Sequence, residues 1–277
     1  MEPFMRRREF LLGAFAGLGA AYPALANVPR PFRFDLWPPI GQRAEFVAWM
    51  ASNRGEDATY LGRRYDRYLQ LLDFNDLSTA AEKRAFLMTP REEFVLPNDR
   101  EEAYVGHYLD IGFGVTITPP GVAGRMTSAL GIRPTERVLE IGTGSGFQSA
   151  MLTYLALRVW SIEIIPQLAA RTRGVYDRLI AKGYQEYGAI STRGGDGYYG
   201  WAEAAPFDKI IVTCGIDHIP PPLLQQLKPG GIMVIPVGSP GAQHILKVVK
   251  TATTVTRSDI FGGKIIPFVP LTGGHQS

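Results

Sequence analysis

A run of alternate glycines near the middle of the chain has the residue types and the spacing to bind a nucleotide-like ligand. Residues 138–148 read Val-Leu-Glu-Ile-Gly-Thr-Gly-Ser-Gly-Phe-Gln. The apolar residues before the glycines predict a buried strand, and a helix is expected to begin near Phe147. Glycine allows a tight turn and a close approach of a ligand to the backbone, and the free N–H groups of the helix point back at that turn. The pattern predicts a cofactor over the strand end; the alternative is a tight turn that binds nothing.

The spacing of the glycines separates two classes of cofactor. A dinucleotide site needs Gly-x-Gly-x-x-Gly or Ala, whereas this chain has Phe147 at the last position and its third glycine one residue earlier, at Gly146. The next predicted strand, residues 158–164, carries Glu163 near its end, 23 residues after Glu140. A carboxylate at about this separation receives ribose hydroxyls, because it accepts two hydrogen bonds at once. The sequence therefore favours a nucleoside cofactor other than NAD.

Composition excludes several other classes of function. The chain has 277 residues, of which 45% are hydrophobic and 20% charged, as in an ordinary globular protein. The net charge is only +3 and the body of the chain has no Lys/Arg block, so nucleic-acid binding is not expected. A single cysteine rules out an intrachain disulfide and the Cys/His cluster of a zinc site, so no metal site is predicted.

The first 26 residues look like a targeting signal. Residues 6–12 read Arg-Arg-Arg-Glu-Phe-Leu-Leu and resemble the twin-arginine export motif, and residues 24–26 read Ala-Leu-Ala, a typical cleavage site. Four interruptions by Gly and Pro argue against a membrane-spanning helix here. We expect an interaction with export machinery and a periplasmic or otherwise exported protein. A cytoplasmic protein with an uncleaved N-terminal helix is the alternative.

Residues 27–79 are predicted to form an N-terminal arm and a helical extension. Residues 27–40 are rich in proline and aromatics and predict an extended arm. Apolar side chains at helical spacing predict two helices, each with one face in the core: Phe46, Trp49 and Met50 on the first, and Tyr60, Tyr65, Tyr68, Leu69 and Leu72 on the second. A third helix, opened by Ser78-Thr79, is expected over residues 80–88.

The remaining pattern, over residues 80–277, predicts an α/β domain with a doubly wound, Rossmann-like sheet of about seven strands. Residues 103–120 form a glycine-rich, non-periodic loop with two hydroxyls, Thr116 and Thr118, close to a helix start. Such a loop could bind an anion or could be only a connection. Helices are expected at 166–181 and 220–227, and strands at 187–192, 207–213, 232–236, 244–250 and 253–261.

Several motifs, taken in order, make a resemblance specific. Residues 90–95 read Pro-Arg-Glu-Glu-Phe-Val, residues 103–118 contain Ala-Tyr and then Ile-Gly-Phe-Gly-Val-Thr-Ile-Thr, and residues 140–148 read Glu-Ile-Gly-Thr-Gly-Ser-Gly-Phe-Gln. Together with the segments at 195–197, 206–208, 224–231, 236–238 and 268–273, they resemble the protein-L-isoaspartate O-methyltransferase family over about residues 80–273. The glycine pattern, with Glu140 before it, resembles the first motif of S-adenosylmethionine-dependent methyltransferases.

The resemblance implies a monomeric carboxyl methyltransferase that uses S-adenosyl-L-methionine on peptides or proteins bearing isoaspartate. It implies that Thr118, at the place of the family's active-site Ser, and Thr116 act on the substrate, which Ile117, Val269, Pro270 and Leu271 also contact. Asp196 would meet the adenine amino group. The implied cofactor residues are Glu140, Gly142, Thr143, Gly144, Ser145, Gly146, Gln148, Glu163, Asp196 and Gly197.

The departures from the family pattern are concentrated in the loop at 103–118. Gly106 replaces Asp, Tyr108 and Asp110 replace Pro, Val115 replaces Gln, and Thr118 replaces Ser. Besides isoaspartyl methylation, two functions therefore stay open. One is methylation of another carboxylate or of a dedicated peptide, and the other is a non-catalytic binding protein of this fold. An NAD-linked oxidoreductase is a more distant alternative.

Overall fold

The computed structural model describes residues 37–271. The predicted signal peptide and most of the predicted arm lie outside these residues, as do residues 272–277. Within the described range, no helix combines the length and the apolar composition that a membrane span requires.

Helices and strands alternate along most of the chain. The helices are α1 (Arg43–Arg54), α2 (Ala58–Asp73), α3 (Ala80–Met88), α4 (Pro120–Leu130), α5 (Phe147–Leu152), α6 (Pro166–Ala181) and α7 (Pro221–Gln226). The strands are β1 (Leu109–Asp110), β2 (Thr116–Ile117), β3 (Arg137–Ile141), β4 (Arg158–Glu163), β5 (Ile190–Gly194), β6 (Phe207–Val212), β7 (Leu227–Val237), β8 (His244–Lys250) and β9 (Val255–Asp259). Short 3₁₀ helices lie at Arg91–Glu93, Pro97–Glu102, Gln185–Ala189, Gly197–Tyr199 and Ala202–Ala204.

The main sheet has seven strands in the order β5-β4-β3-β6-β7-β8-β9. The first five of these pair in parallel, and β7–β8 and β8–β9 pair antiparallel. The chain runs outward from β3 through β4 to β5 and then returns to the other side of β3 as β6. Ligands of open α/β sheets bind at such a reversal, outside the carboxyl ends of the strands. The topology therefore places the candidate site above β3 and β6.

Both faces of the sheet are covered. Along β3, Val138 belongs to one hydrophobic cluster and Leu139 to the other, and Val159 and Trp160 divide in the same way along β4. Successive strand side chains point to opposite faces, so a strand covered on both sides is apolar throughout. The prediction of a doubly wound sheet of about seven strands with an N-terminal helical region is confirmed.

Local signals fix most helix starts. The Thr79 side chain accepts from the Glu82 N–H at 3.2 Å, and the Glu82 carboxylate accepts from the Thr79 N–H at 3.0 Å. This capping box satisfies two N–H groups that the helix itself leaves free. Proline is the first residue of α6, as its fixed φ favours. The helix predictions at 80–88 and 166–181 are confirmed.

Four predictions differ from the structure in detail. The strand predicted at 187–192 begins at Ile190, because Tyr187 belongs to a 3₁₀ turn and packs its ring against Tyr176 and Phe94. The prediction that Leu69 lies on the buried face of its helix was wrong, because its side chain is 44% exposed. The preceding residue, Tyr68, is buried in the core. β7 is longer than predicted, and β9 is shorter.

The N-terminal helices share one core with the sheet. Phe46 and Met50 of α1 are fully buried in the same cluster as Phe147 of α5. Arg54, at the end of α1, donates to Glu186 at 2.5 Å, and both side chains are almost completely buried. Because a buried charge needs its partner, this ion pair joins α1 firmly to the α6–β5 connection.

Candidate cofactor and acceptor site

A cavity lies at the reversal of strand order, above the ends of β3, β4 and β6. Its empty volume, including the solvent at its mouth, is about 880 Å³. Most of its lining is apolar. Three segments form much of its wall, together with Glu163 at the end of β4: the glycine loop (residues 142–146), the acceptor loop (residues 103–118) and the C-terminal segment (residues 267–271).

The glycine loop has the conformation that the sequence predicted. Gly142, Gly144 and Gly146 have φ values of +91°, +54° and +93°, which are left-handed. A Cβ at Gly142 would lie 2.7 Å from the Thr213 hydroxyl, and one at Gly146 would lie 2.6 Å from the Tyr176 hydroxyl. A Cβ at Gly144 would meet no protein atom closer than 3.8 Å. Thus the outer two glycines are required by packing, and the backbone of Gly144 is open to the cavity that it lines.

Helix α6 holds the glycine loop from outside. The Thr172 hydroxyl donates to the Gly144 carbonyl at 2.6 Å, and the Tyr176 hydroxyl donates to the Gly146 carbonyl at 3.0 Å. Thr172 and Tyr176 are one helical turn apart and so share a helix face. On the other side, the Thr213 hydroxyl donates to the Gly142 carbonyl at 2.6 Å. The carbonyls are thus engaged by protein, which fixes the loop before any ligand arrives.

Glu163 ends β4 at the wall of the cavity and is 5% exposed. One carboxylate oxygen accepts from the Gly144 N–H at 2.8 Å, and the other accepts from the Ile165 N–H at 3.0 Å. An ionised carboxylate has about four acceptor positions, so these two bonds leave capacity for the two hydroxyls of a ribose. The donor set of the site therefore fits a nucleoside cofactor.

Glu140 lies below the cavity and does not line it. Its Oε2 accepts from the hydroxyls of Ser149 and, at 2.5 Å, of Ser161. Its Oε1 is buried and has no hydrogen-bond partner among residues 37–271. Burial raises the pKa of Glu140 to about 8, and the neighbouring Glu163 adds to this increase. Through these two serines, Glu140 joins β3 to α5 and β4 beneath the glycine loop.

The other predicted cofactor residues fall into two groups. Thr143, Gly144, Ser145, Gln148 and Gly197 line the cavity with Gly142 and Glu163. Gln148 also donates to the Thr127 hydroxyl at 2.8 Å, which fixes its amide. Gly146 and Asp196 are adjacent to the lining but outside it; the Asp196 carboxylate accepts from the Tyr198 N–H at 2.9 Å and opens a 3₁₀ turn.

The acceptor loop supplies the opposite wall of the cavity. Thr116, Ile117 and Thr118 all line it. Within the described residues, the Thr116 and Thr118 hydroxyls make no hydrogen bond to protein, so both are available to a ligand. The Arg91 guanidinium donates to the Thr118 carbonyl at 2.8 Å and to the Ala103 carbonyl at 2.6 Å. The backbone carrying the hydroxyls is thereby held by a side chain that is itself fully buried.

The C-terminal segment closes the third side. The Gly215 N–H donates to the Val269 carbonyl at 2.8 Å, and the Leu271 N–H donates to the Gly215 carbonyl at 2.7 Å. Val269, Pro270 and Leu271 line the cavity. Gly215 lies just beyond the end of β6, so these bonds fix the segment above the sheet. The structure thus brings all four residues of the predicted substrate side, Ile117 included, to one cavity.

Comparisons with known proteins agree with this geometry. The model of the family described as Protein-L-isoaspartate(D-aspartate) O-methyltransferase matches residues 74–276. The chain belongs to this family. A relative named Protein-L-isoaspartate O-methyltransferase 1, from Nitrosospira multiformis, is 48% identical over 175 residues, covering 62% of this chain and 70% of the relative. One from Anaeromyxobacter dehalogenans is 47% identical over 182 residues, covering 66% and 84%.

Solved structures of this family have the same fold. One is a protein-L-isoaspartate O-methyltransferase with 25% identity and a TM-score of 0.65, covering 77% of this chain and 67% of the other. A second, a putative family member from Plasmodium falciparum in complex with S-adenosyl-L-homocysteine, has 18% identity and a TM-score of 0.63, covering 75% and 97%. The resemblance predicted from the motifs is confirmed.

The positions that depart from the family pattern have visible roles. The Tyr108 hydroxyl donates to the Pro267 carbonyl at 2.7 Å, which joins the acceptor loop to the C-terminal segment. The Asp110 carboxylate accepts from the Gly112 N–H at 2.8 Å and stabilises the turn. A Cβ at Gly106 would lie 3.3 Å from the Arg67 guanidinium. Only Val115 and Thr118 among the five line the cavity.

Sequence reasoning missed the residues that support the site. In the sequence, Arg91 stands out only as part of a motif, and Thr172, Tyr176 and Thr213 belong to no motif. The one available signal was the spacing of Thr172 and Tyr176 on a predicted helix. Cys214 is buried, and burial raises the pKa of its thiol.

Proposed function

We propose that this protein transfers the methyl group of S-adenosyl-L-methionine to the carboxylate of L-isoaspartyl residues in damaged proteins. The observation that carries the proposal is a single cavity with two different walls. The glycine loop and Glu163 form the nucleoside side, and Thr116, Thr118 and the C-terminal segment form the acceptor side. Membership of the isoaspartyl methyltransferase family supports the substrate.

The chemistry asks little of the protein beyond positioning. When bound, the cofactor supplies a methyl group made electrophilic by its sulfonium. A carboxylate acceptor is already ionised at neutral pH, because its ordinary pKa is about 4. The chain therefore needs no general base; it must align the acceptor and replace the water around it with fixed donors. The hydroxyls of Thr116 and Thr118 are such donors, since protein does not engage them within the described residues.

Two peptides that differ only in one residue test this function. Labelled-methyl incorporation is measured at saturating cofactor on a peptide with isoaspartate and on the same peptide with aspartate. We expect incorporation into the first and little into the second. Methylation of neither peptide, by protein that binds the cofactor, would mean that the altered acceptor loop takes a different carboxylate.

Thr118 variants test the acceptor wall. Thr118→Val replaces the hydroxyl with a methyl group of similar size, and Thr118→Ser keeps the hydroxyl. Loss of one fixed donor commonly lowers the rate on the order of 100-fold. We expect that loss in Thr118→Val, near wild-type turnover in Thr118→Ser, and unchanged cofactor affinity in both. Full activity of Thr118→Val on the isoaspartyl peptide would exclude the hydroxyl from the reaction.

We further infer that the mature chain begins at Asn27, acts as a monomer and lies outside the cytoplasm. The supporting features are Arg7-Arg8 and Ala24-Leu25-Ala26, all of which precede the described residues. Export through a twin-arginine pathway would need the cell's export machinery as a partner. Intact-mass measurement of the native protein after cell fractionation tests the first residue and the location, and size-exclusion chromatography tests the monomeric state. A full-length cytoplasmic chain would contradict export.

A further inference from the structure

The helical extension reaches the acceptor loop through a buried arginine. Arg64 lies on α2, before residue 74, where the match to the family model begins. Its side chain is 0% exposed. It donates to the Tyr104 hydroxyl at 2.7 Å and to the Leu87 carbonyl at 2.9 Å. Tyr104 belongs to the acceptor loop, so α2 and this loop are in direct contact.

Two carboxylates balance the charge of Arg64. Its Nη2 lies 2.6 Å from Glu56 and 3.0 Å from Glu92. All three side chains are nearly inaccessible to water. Removal of one partner from a buried ion pair is strongly unfavourable, so the three groups hold α2 in one position against the 3₁₀ turn at residues 91–93.

The Tyr104 hydroxyl is the junction of this network. It donates to Glu92, and it accepts from Arg64 and from the backbone N–H of Arg91 at 3.2 Å. One donor and two acceptor positions are the full capacity of a hydroxyl. The Arg91 guanidinium then donates to the Thr118 carbonyl at 2.8 Å and lies over the Phe147 ring with its Cζ 4.7 Å from the ring centre. The contacts from α2 to Thr118 are therefore continuous.

We propose that Arg64 is a positioning residue for the acceptor wall, which acts through Tyr104 and Arg91 on the backbone of Thr118. The expected kinetic effect rests on the proposed function. The positioning of the acceptor loop by Arg64 does not depend on that function. The extension is then not an accessory domain but the support that sets where the acceptor-side hydroxyls lie.

The glycine loop serves as a control within the same protein, because the Arg64 network does not hold it. Its carbonyls are held by Thr172 and Tyr176 of α6, outside the Arg64 network. A weakened network should therefore disturb the acceptor wall and leave the cofactor wall in place. A general loss of structure would disturb both walls together.

Tyr104→Phe is the main variant, because it removes the junction hydroxyl and keeps the ring. Tyr65→Phe is the matched control: Tyr65 is a buried tyrosine of α2 whose hydroxyl donates to Ile40, away from the loop. Arg64→Lys is the second variant, since a lysine keeps the charge but not the planar fork of donors. Each protein is tested as the full chain, with thermal unfolding measured alongside.

Two readouts separate the inference from the proposed function. In hydrogen exchange, residues 109–118 should exchange about fivefold faster in Tyr104→Phe than in wild type, the effect of one lost hydrogen bond. Residues 138–146 should be unchanged, and so should both segments in Tyr65→Phe. In kinetics, kcat/KM for the isoaspartyl peptide should fall on the order of tenfold with unchanged affinity for S-adenosyl-L-homocysteine.

Unchanged exchange at residues 109–118 in folded Tyr104→Phe would overturn the inference, as would a parallel change at the glycine loop. If wild type methylates neither peptide, the proposed function fails, and the exchange experiment still decides whether Arg64 positions the loop. If Arg64→Lys does not fold, Tyr104→Phe decides alone.

Discussion

Glu140 should make the stability of this protein depend on pH in the neutral range. The carboxyl is fully buried, and its two serine partners contact only one of its oxygens. Burial raises its pKa to about 8 from an ordinary value of 4.5. In the folded protein, Glu140 thus keeps its proton at pH values where it is ionised in the unfolded chain.

The sign and size of the effect follow from this difference. Between pH 4.5 and about 8 the native state binds one more proton than the unfolded state, so stability falls as pH rises. The contribution is fully present below pH 4.5 and is lost as pH rises through about 8. One pKa unit corresponds to about 1.4 kcal/mol. Over the whole window, the free energy of unfolding should change by an amount on the order of 5 kcal/mol.

Urea unfolding at several pH values between 5 and 8 measures this slope. A glutamine at position 140 has nearly the same shape as the glutamate but cannot ionise. The stability of Glu140→Gln should therefore not show the part of the pH dependence that Glu140 contributes in wild type. Glu45→Gln removes an exposed carboxylate of α1 and should keep the wild-type slope, because Glu140 is still present. Parallel curves for wild type and Glu140→Gln would refute the reasoning, since Glu140 would then be ionised in the folded protein.

Four further variants test the cavity and its walls. Glu163→Ala should weaken S-adenosylmethionine binding by about 1–3 kcal/mol in calorimetry, the scale of hydrogen bonds to a charged group; an unchanged affinity would remove Glu163 from the site, and NAD should not bind. Gly146→Ala should lower the free energy of unfolding by about 1–3 kcal/mol, because its Cβ would lie 2.6 Å from the Tyr176 hydroxyl. Gly144→Ala meets no such contact, so it should reduce cofactor affinity more than stability; equal losses of stability would contradict this. Tyr108→Phe should cost about 0.5–1.5 kcal/mol in urea unfolding, for one hydrogen bond to the C-terminal segment; an unchanged midpoint would show that this bond contributes nothing.

The central strands and the cofactor wall could be predicted because their signals are local. A buried strand, alternate glycines and a helix opening follow one another within 11 residues, 138–148. Proline at the start of α6 fixed that boundary in the same way. Tyr187 was misplaced because an aromatic residue before an apolar run is typical of a strand, whereas here its ring is needed in the core beside Tyr176.

The supports of the acceptor wall could not be predicted, because they depend on pairs far apart in the chain. Arginine is almost never fully buried unless it is paired, and nothing in the sequence pairs Arg64 with Glu92, 28 residues away. Arg91 is a stronger case, since among the described residues its guanidinium donates to backbone carbonyls, which leave no sequence pattern. Burial lowers its pKa to about 9, so it remains charged at neutral pH.

Five positions of the acceptor loop depart from the family pattern, and of these only Val115 and Thr118 line the cavity. Tyr108 and Asp110 make hydrogen bonds that hold the loop backbone, and neither lines the cavity. Arg171 adds a third support through the Ile111 carbonyl. A loop held in this way keeps its path even where its sequence departs from the family pattern.

Any change of substrate should therefore arise from Val115 and Thr118, which line the cavity. Thr118 keeps the family's hydroxyl, whereas Val115 removes an amide that could donate and accept. Specificity beyond the isoaspartyl carboxylate should accordingly depend more on Val115 than on the rest of the loop.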